Sequence, residues 1–118
     1  MHDRPNIATA IPKRRYQLGD FSGTVLGEIE SSDPHRYRFI LAMVPMGQRN
    51  PTLYVTCEAA PPNEAGEGNY RLRLVNEVMS EVMDRADRWG DLDAFAEQAL
   101  KLATQALGLQ RERVVRLL

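Results

Sequence analysis

The sequence has one cysteine, Cys57, and two histidines, His2 and His35. A single thiol excludes a disulfide within the chain. Structural zinc takes four ligands at recognisable spacing, and neither Cys-x-x-Cys nor His-x-x-x-His occurs. A catalytic constellation needs a nucleophile or metal with a second group in reach, and no motif supplies one. No catalytic residue, metal or cofactor is therefore assigned. Charge of one sign is missing too. Lys and Arg total 15 against 16 Asp and Glu, a net charge of −1, which gives no global attraction to nucleic acid or acidic lipid. No apolar run approaches the ~18 residues of a membrane span. Arg4, Pro5 and Asn6 interrupt the N-terminus before an apolar signal core can form. A soluble, cytoplasmic protein with no membrane partner is expected. Internal repeats and low-complexity tracts are absent as well.

What is present points to a folded domain. At 118 residues, 43% apolar and 26% charged, the chain is of ordinary globular composition. A chain of this length buries roughly two thirds of its unfolded surface, enough to fold without staples. Residues 1–15 carry two prolines, no periodicity and the basic end Lys13-Arg14-Arg15, and are expected to form a flexible basic arm. Residues 16–118 are expected to form a single α+β domain.

The organising stretch of that domain is Tyr37 to Ala59, two strand-like runs around the turn-rich Pro45-Met46-Gly47-Gln48-Arg49-Asn50-Pro51. Pairing Met43 with Leu53 puts Leu41 opposite Val55, Phe39 opposite Cys57 and Tyr37 opposite Ala59. A slip of one residue would set Phe39 against Glu58, so the apolar pattern selects the first register. Upstream, residues 16–30 alternate with period two and form another strand. Its glycines Gly23 and Gly27 would lie opposite Met43 and Phe39, with Val25 opposite Leu41 and Ile29 opposite Tyr37. Their spacing fits neither the Gly-Lys-Ser/Thr ending of a phosphate loop nor Gly-x-Gly-x-x-Gly. Ser31-Ser32-Asp33-Pro34 is a turn.

Residues 60–69 form the longest loop, followed by a strand over Tyr70–Asn76. Val78, Met79, Val82, Met83, Ala86 and Trp89 share one helical stripe behind Asn76 as cap, so 77–89 reads as helix, with strand the alternative. The last helix is clearer. Asp91 caps it, Leu92, Phe95, Ala96, Ala99, Leu102, Ala103, Ala106 and Leu107 form its buried stripe, and Gly108 ends it. Trp89 would anchor it to the sheet. The tail 110–118 is either an edge strand or a helical extension. The expected architecture is α+β: an antiparallel four-stranded β-meander with the C-terminal helix or helices packed on one face.

Candidate chemistry is sparse. His35 sits in a turn, Cys57 among core residues as a small hydrophobe, and Glu28, Glu30 and Glu58 at one end of the sheet's back face, solvated. That back face also carries Arg38, Ile40, Val44, Tyr54, Arg71, Arg73 and Val75, too apolar for plain exposure. The reading that follows is a non-enzymatic interaction module, self-associating as a homodimer or binding a protein partner through those residues. The alternative is single-stranded nucleic acid on Tyr54 and the arginines, although only one aromatic lies there and an RNP-type motif is missing. A third is a small-ligand site or enzyme between Trp89, His35 and the 60–69 loop.

Overall fold

The computed structural model describes residues 3–61 and 68–118. Seven strands form one antiparallel sheet: β1 (Ile7–Leu18), β2 (Phe21–Ser31), β3 (Tyr37–Pro45), β4 (Leu53–Ala59), β5 (Tyr70–Asn76), β6 (Ser80–Arg85) and β7 (Val114–Arg116). A short 3₁₀ turn, Asp87–Gly90, leads from β6 into the helix α1 (Leu92–Leu107). The spatial order is β6-β5-β4-β3-β2-β1-β7, so six strands follow one another as a meander and β7 returns to the outside of β1. The class is α+β, as the pattern predicts, with seven strands among the described residues rather than four.

Three elements differ from expectation. Residues 7–15 are not a free arm but the first half of β1, paired with β2 from Ile7↔Ser31 to Leu18↔Phe21. Backbone ladder bonds hold this half, and none of its side chains is fully buried, so it needs no apolar period. Pro12 sits beside a register shift between Pro12 and Arg14, one of the few places where a strand tolerates proline. The long strand expected over 16–30 is two strands, split at Gly19 (φ 57°) and Asp20. Residues 77–89 are β6 and the 3₁₀ turn instead of a helix.

The central registers follow the apolar pattern. Gly23 lies opposite Met43, Val25 opposite Leu41, Met43 opposite Leu53, Leu41 opposite Val55 and Phe39 opposite Cys57. A Cβ on Gly23 would stand 2.8 Å from Met43 Sδ, so the glycine makes room for the side chain that covers it. The pattern fails at one end. β2 leaves β3 beyond Leu26↔Ile40, and Gly27 and Ile29 therefore do not meet Phe39 and Tyr37. Gly27 lies opposite Ile11 instead, under the Lys13 side chain, and next to it Glu28 takes φ 47°. A bulge between Tyr37 and Phe39 pairs Tyr37 with Glu58 instead of Ala59 and turns its ring to the back face.

α1 covers the front face. Phe95, Ala96, Ala99 and Ala103 pack on Phe39, Leu41, Val55, Cys57, Leu72 and Leu74, with the Phe39 and Phe95 ring centroids 5.4 Å apart. Asp91 caps the helix by accepting from Ala94 N at 3.0 Å. Gly108 (φ 70°) ends it, and Leu109 N folds back to Thr104 O at 2.8 Å. Trp89 is buried beside the helix start, its Nε1 donating to Asp84 Oδ2 at 3.1 Å. An Arg14–Asp93 ion pair ties β1 to the first turn of α1, and the guanidinium holds the Asp93 carboxyl below the usual carboxylate range.

The back face is covered by the chain's own beginning. Ile40, Ala42, Tyr54, Val75 and Tyr37 form a second cluster with Ile7, Leu26 and Ile29 packed against it. Pro5 is buried, and Arg4 Nε donates to the Tyr54 hydroxyl at 3.1 Å.

Candidate functional site

Alternation along β4 sends Tyr54, Thr56 and Glu58 to the back face, while β5 sends Arg71 and Arg73 to the same side. Glu58 lies opposite Arg71 and Thr56 opposite Arg73. The Glu58 side chain is only 1% exposed, and both its oxygens are bonded. Oε1 accepts from Arg71 Nε at 2.9 Å and lies 3.4 Å from His35 Nδ1. Oε2 accepts from Arg73 Nε at 3.0 Å and from Thr56 Oγ1 at 2.9 Å. Arg73 also reaches Ser80 Oγ on β6 at 3.3 Å. A buried carboxylate thus has its charge balanced by two guanidinium groups and its lone pairs occupied, the condition under which burying it is tolerable.

His35 arrives from the β2–β3 turn, which Asp33 organises. The Asp33 carboxylate accepts from the backbone N of His35 at 3.0 Å, from Asn6 N at 2.9 Å and from the Tyr37 hydroxyl at 3.0 Å. Burial, then the bond to Asp33, pushes the Tyr37 phenol far above its ordinary pKa, so it stays a donor. The turn is therefore fixed at both its backbone and its flanking side chain. Beside it opens a cleft of about 370 Å³ lined by Pro34, His35, Arg36, Pro61 and Arg71. A larger, open cleft of about 730 Å³ lies on the helix side, between Lys13, Glu28 and Glu30 of the β1–β2 hairpin and Arg38, Gly90 and Asp91.

The residues assigned to an interaction face do not form one surface. Ile40, Tyr54 and Val75 are buried under the N-terminal segment, because the expected free arm packs there. Arg71 and Arg73 are bound to Glu58. Val44 is half-buried. Arg38, at the bulge, points the other way: its Nε donates to Gly90 O at 3.3 Å, and its guanidinium lies 5.2 Å from the Phe39 ring centroid. A site between Trp89, His35 and the 60–69 loop does not assemble, since Trp89 belongs to the front core and His35 to the back; residues 62–67 of that loop lie outside the described residues. Cys57 is in the core as expected, its Sγ donating to Trp89 O at 3.1 Å, and burial pushes its thiol up to about 12. That keeps it from acting as a thiolate near neutral pH.

Glu58 lies on the back face as expected, but it is buried rather than solvated, and its arginine partners are what sequence reasoning missed. The signal existed in the register of β4 against β5, which places Glu58 and Thr56 opposite two arginines. It lies across the long loop, where no turn motif sets the pairing. Among the described residues no group of three or more His, Cys, Asp or Glu is gathered for a metal ion. No helix among them is long and apolar enough to cross a membrane.

The sheet's two edges differ. β6 presents the charged Glu81, Asp84 and Arg85, with Met83 exposed between them. β7 and the residues after it present Val114, Val115, Leu117 and Leu118, exposed by 41%, 45%, 58% and 60%.

Fold and surface together define an α+β protein with an antiparallel sheet, one helix on its front and a buried carboxylate–arginine network on its back. Compared with family models, with curated proteins and with solved structures, the chain matches none.

Proposed function

We propose that the protein is a non-enzymatic interaction module that self-associates, with the interface at the outer edge of β7. The carrying observation is the apolar character of that edge. A sheet edge offers unpaired N–H and C=O groups to another chain, and proteins blunt such edges with charge when pairing is to be avoided. β6 has that charge; β7 and the two residues after it carry four exposed aliphatic side chains among five residues.

The occupant is a second copy. Leu117 N bonds Arg15 O, so ladder alternation directs the backbone groups of Val114 and Arg116 outward. An antiparallel edge pairs with itself about a two-fold axis. Centring that axis on Val115 sets Val114 against Arg116 of the other copy, whereas centring it on Arg116 would set two guanidinium groups face to face. The nucleic-acid alternative loses its support because Tyr54 is capped by Arg4, and Arg71 and Arg73 are committed to Glu58.

Sedimentation across a concentration range tests the reading. A dimer is expected for the natural sequence and a monomer for Val115→Lys, with the same far-ultraviolet dichroism in both. A wild-type chain that stays monomeric, including one whose β7 then pairs with a strand of a different protein, overturns it, as does a Val115→Lys chain that still dimerises.

A further inference from the structure

At the opposite end of β3 from β7, and independent of any pairing there, we infer that the cleft beside His35 is a binding site for a small phosphate-bearing anion. The cleft, about 370 Å³, falls in the size range of small-molecule sites. Its donors are placed by groups that cannot easily move. The His35 backbone is fixed by Asp33, and its ring Nδ1 faces the buried Glu58 carboxylate at 3.4 Å. A histidine whose Nδ1 is turned to a carboxylate directs its other nitrogen, Nε2, to the opposite side of the ring, the arrangement that buried carboxylates impose on working histidines. The His35 side chain is 26% exposed and lines the cleft.

Arg36 follows in sequence, with its carbonyl held by Ala59 N at 2.9 Å, which anchors its backbone to β4 at the cleft wall. Arg71 borders the cleft with its Nε held by Glu58 and adds positive charge at the wall, while His35 and Arg36 supply the donors. Charge adds to geometry. Arg36 and Arg71 line the cleft, and among the described residues no carboxylate does; Glu58, behind His35, is already balanced by Arg71 and Arg73. Arginine forks and an oriented imidazole match the several acceptor oxygens of a phosphate. The wall between them is small and apolar, Pro34, Ala59, Ala60 and Pro61, and leaves room for a short organic group behind the phosphate.

Calorimetric titration of the full chain with inorganic phosphate and with glycerol phosphate tests this. Saturable binding is expected, weakened by at least about tenfold in Arg36→Ala and in His35→Gln, because each removes a charge-assisted bond. Arg36 takes no part in the Glu58 network, so Arg36→Ala keeps its thermal midpoint and separates loss of binding from loss of fold. Tighter binding of glycerol phosphate identifies an organic monoester as the natural ligand; equal binding identifies free phosphate. Failure of both ligands to saturate, or affinities unchanged in both variants, overturns the site.

Discussion

Glu58 concentrates the chemistry of the back face in one side chain. Its carboxylate is almost wholly buried and holds two arginines, a threonine and a histidine. Removing one member of such a set leaves the others buried without a counter-charge, which costs about 3–5 kcal/mol. Glu58→Gln keeps the volume and removes the charge, and is expected to lower unfolding free energy by about that amount in a urea titration. A loss below about 1 kcal/mol would mean that the arginines find solvent instead. At this scale the sequence was legible for Cys57 and Phe39, whose places follow from apolar alternation alone. It was not legible for Glu58. A charged residue on an alternating strand reads as solvent-facing unless its cross-strand neighbours are known, and those neighbours sit beyond the 60–69 stretch, which carries no turn motif to set the pairing.

The same limit recurs for whole elements. The bounds of α1 were legible because its signals are local, Asp91 before the stripe and Gly108 after it; of the stripe, only Phe95, Ala96, Ala99 and Ala103 are fully buried, and Ala106 is exposed. The stretch after β5 was not legible. Asn76 reads as a helix cap, and its Oδ1 does accept from Val78 N and Met79 N, both at 2.9 Å. Asn76 N also donates to Met79 O at 2.9 Å, however, and the chain turns back into β6. One side chain serves both conformations through the same bonds, so local sequence does not choose. The sheet chooses, since β5 would otherwise be an edge with Leu72, Leu74 and Val75 beside it. Val78, counted in the helical stripe, is 89% exposed at the tip of this turn. Asn76→Ala removes two bonds that set the reversal. It is expected to cost about 1–2 kcal/mol and to speed amide exchange in β6 ahead of β4, read by hydrogen-exchange mass spectrometry. Uniform exchange across the sheet would assign the reversal to strand pairing alone.

For the molecule as a whole, the class and the central registers were legible, and the course of the two chain ends was not. The N-terminal segment pairs with β2 by backbone bonds and covers Tyr54 with Arg4 and Pro5, none of which leaves a periodic mark. The tail's place beside β1 joins residues about a hundred positions apart. That topology has a kinetic consequence. Every ladder from β1 to β6 links strands adjacent in sequence, so each can close as a hairpin, the widest across residues 60–69. The β1–β7 ladder alone must wait for distant segments to meet, and loop closure of that length is rewarded by only three residue pairs. β7 should therefore dock after the rate-limiting step. Stopped-flow measurements on Val114→Ala, made at concentrations where the chain is monomeric, should show faster unfolding and an unchanged refolding rate. A slowed refolding rate would place β7 in the folding nucleus. With β7 docking last, the strand proposed to join two copies becomes available for pairing only when the rest of the sheet has already closed.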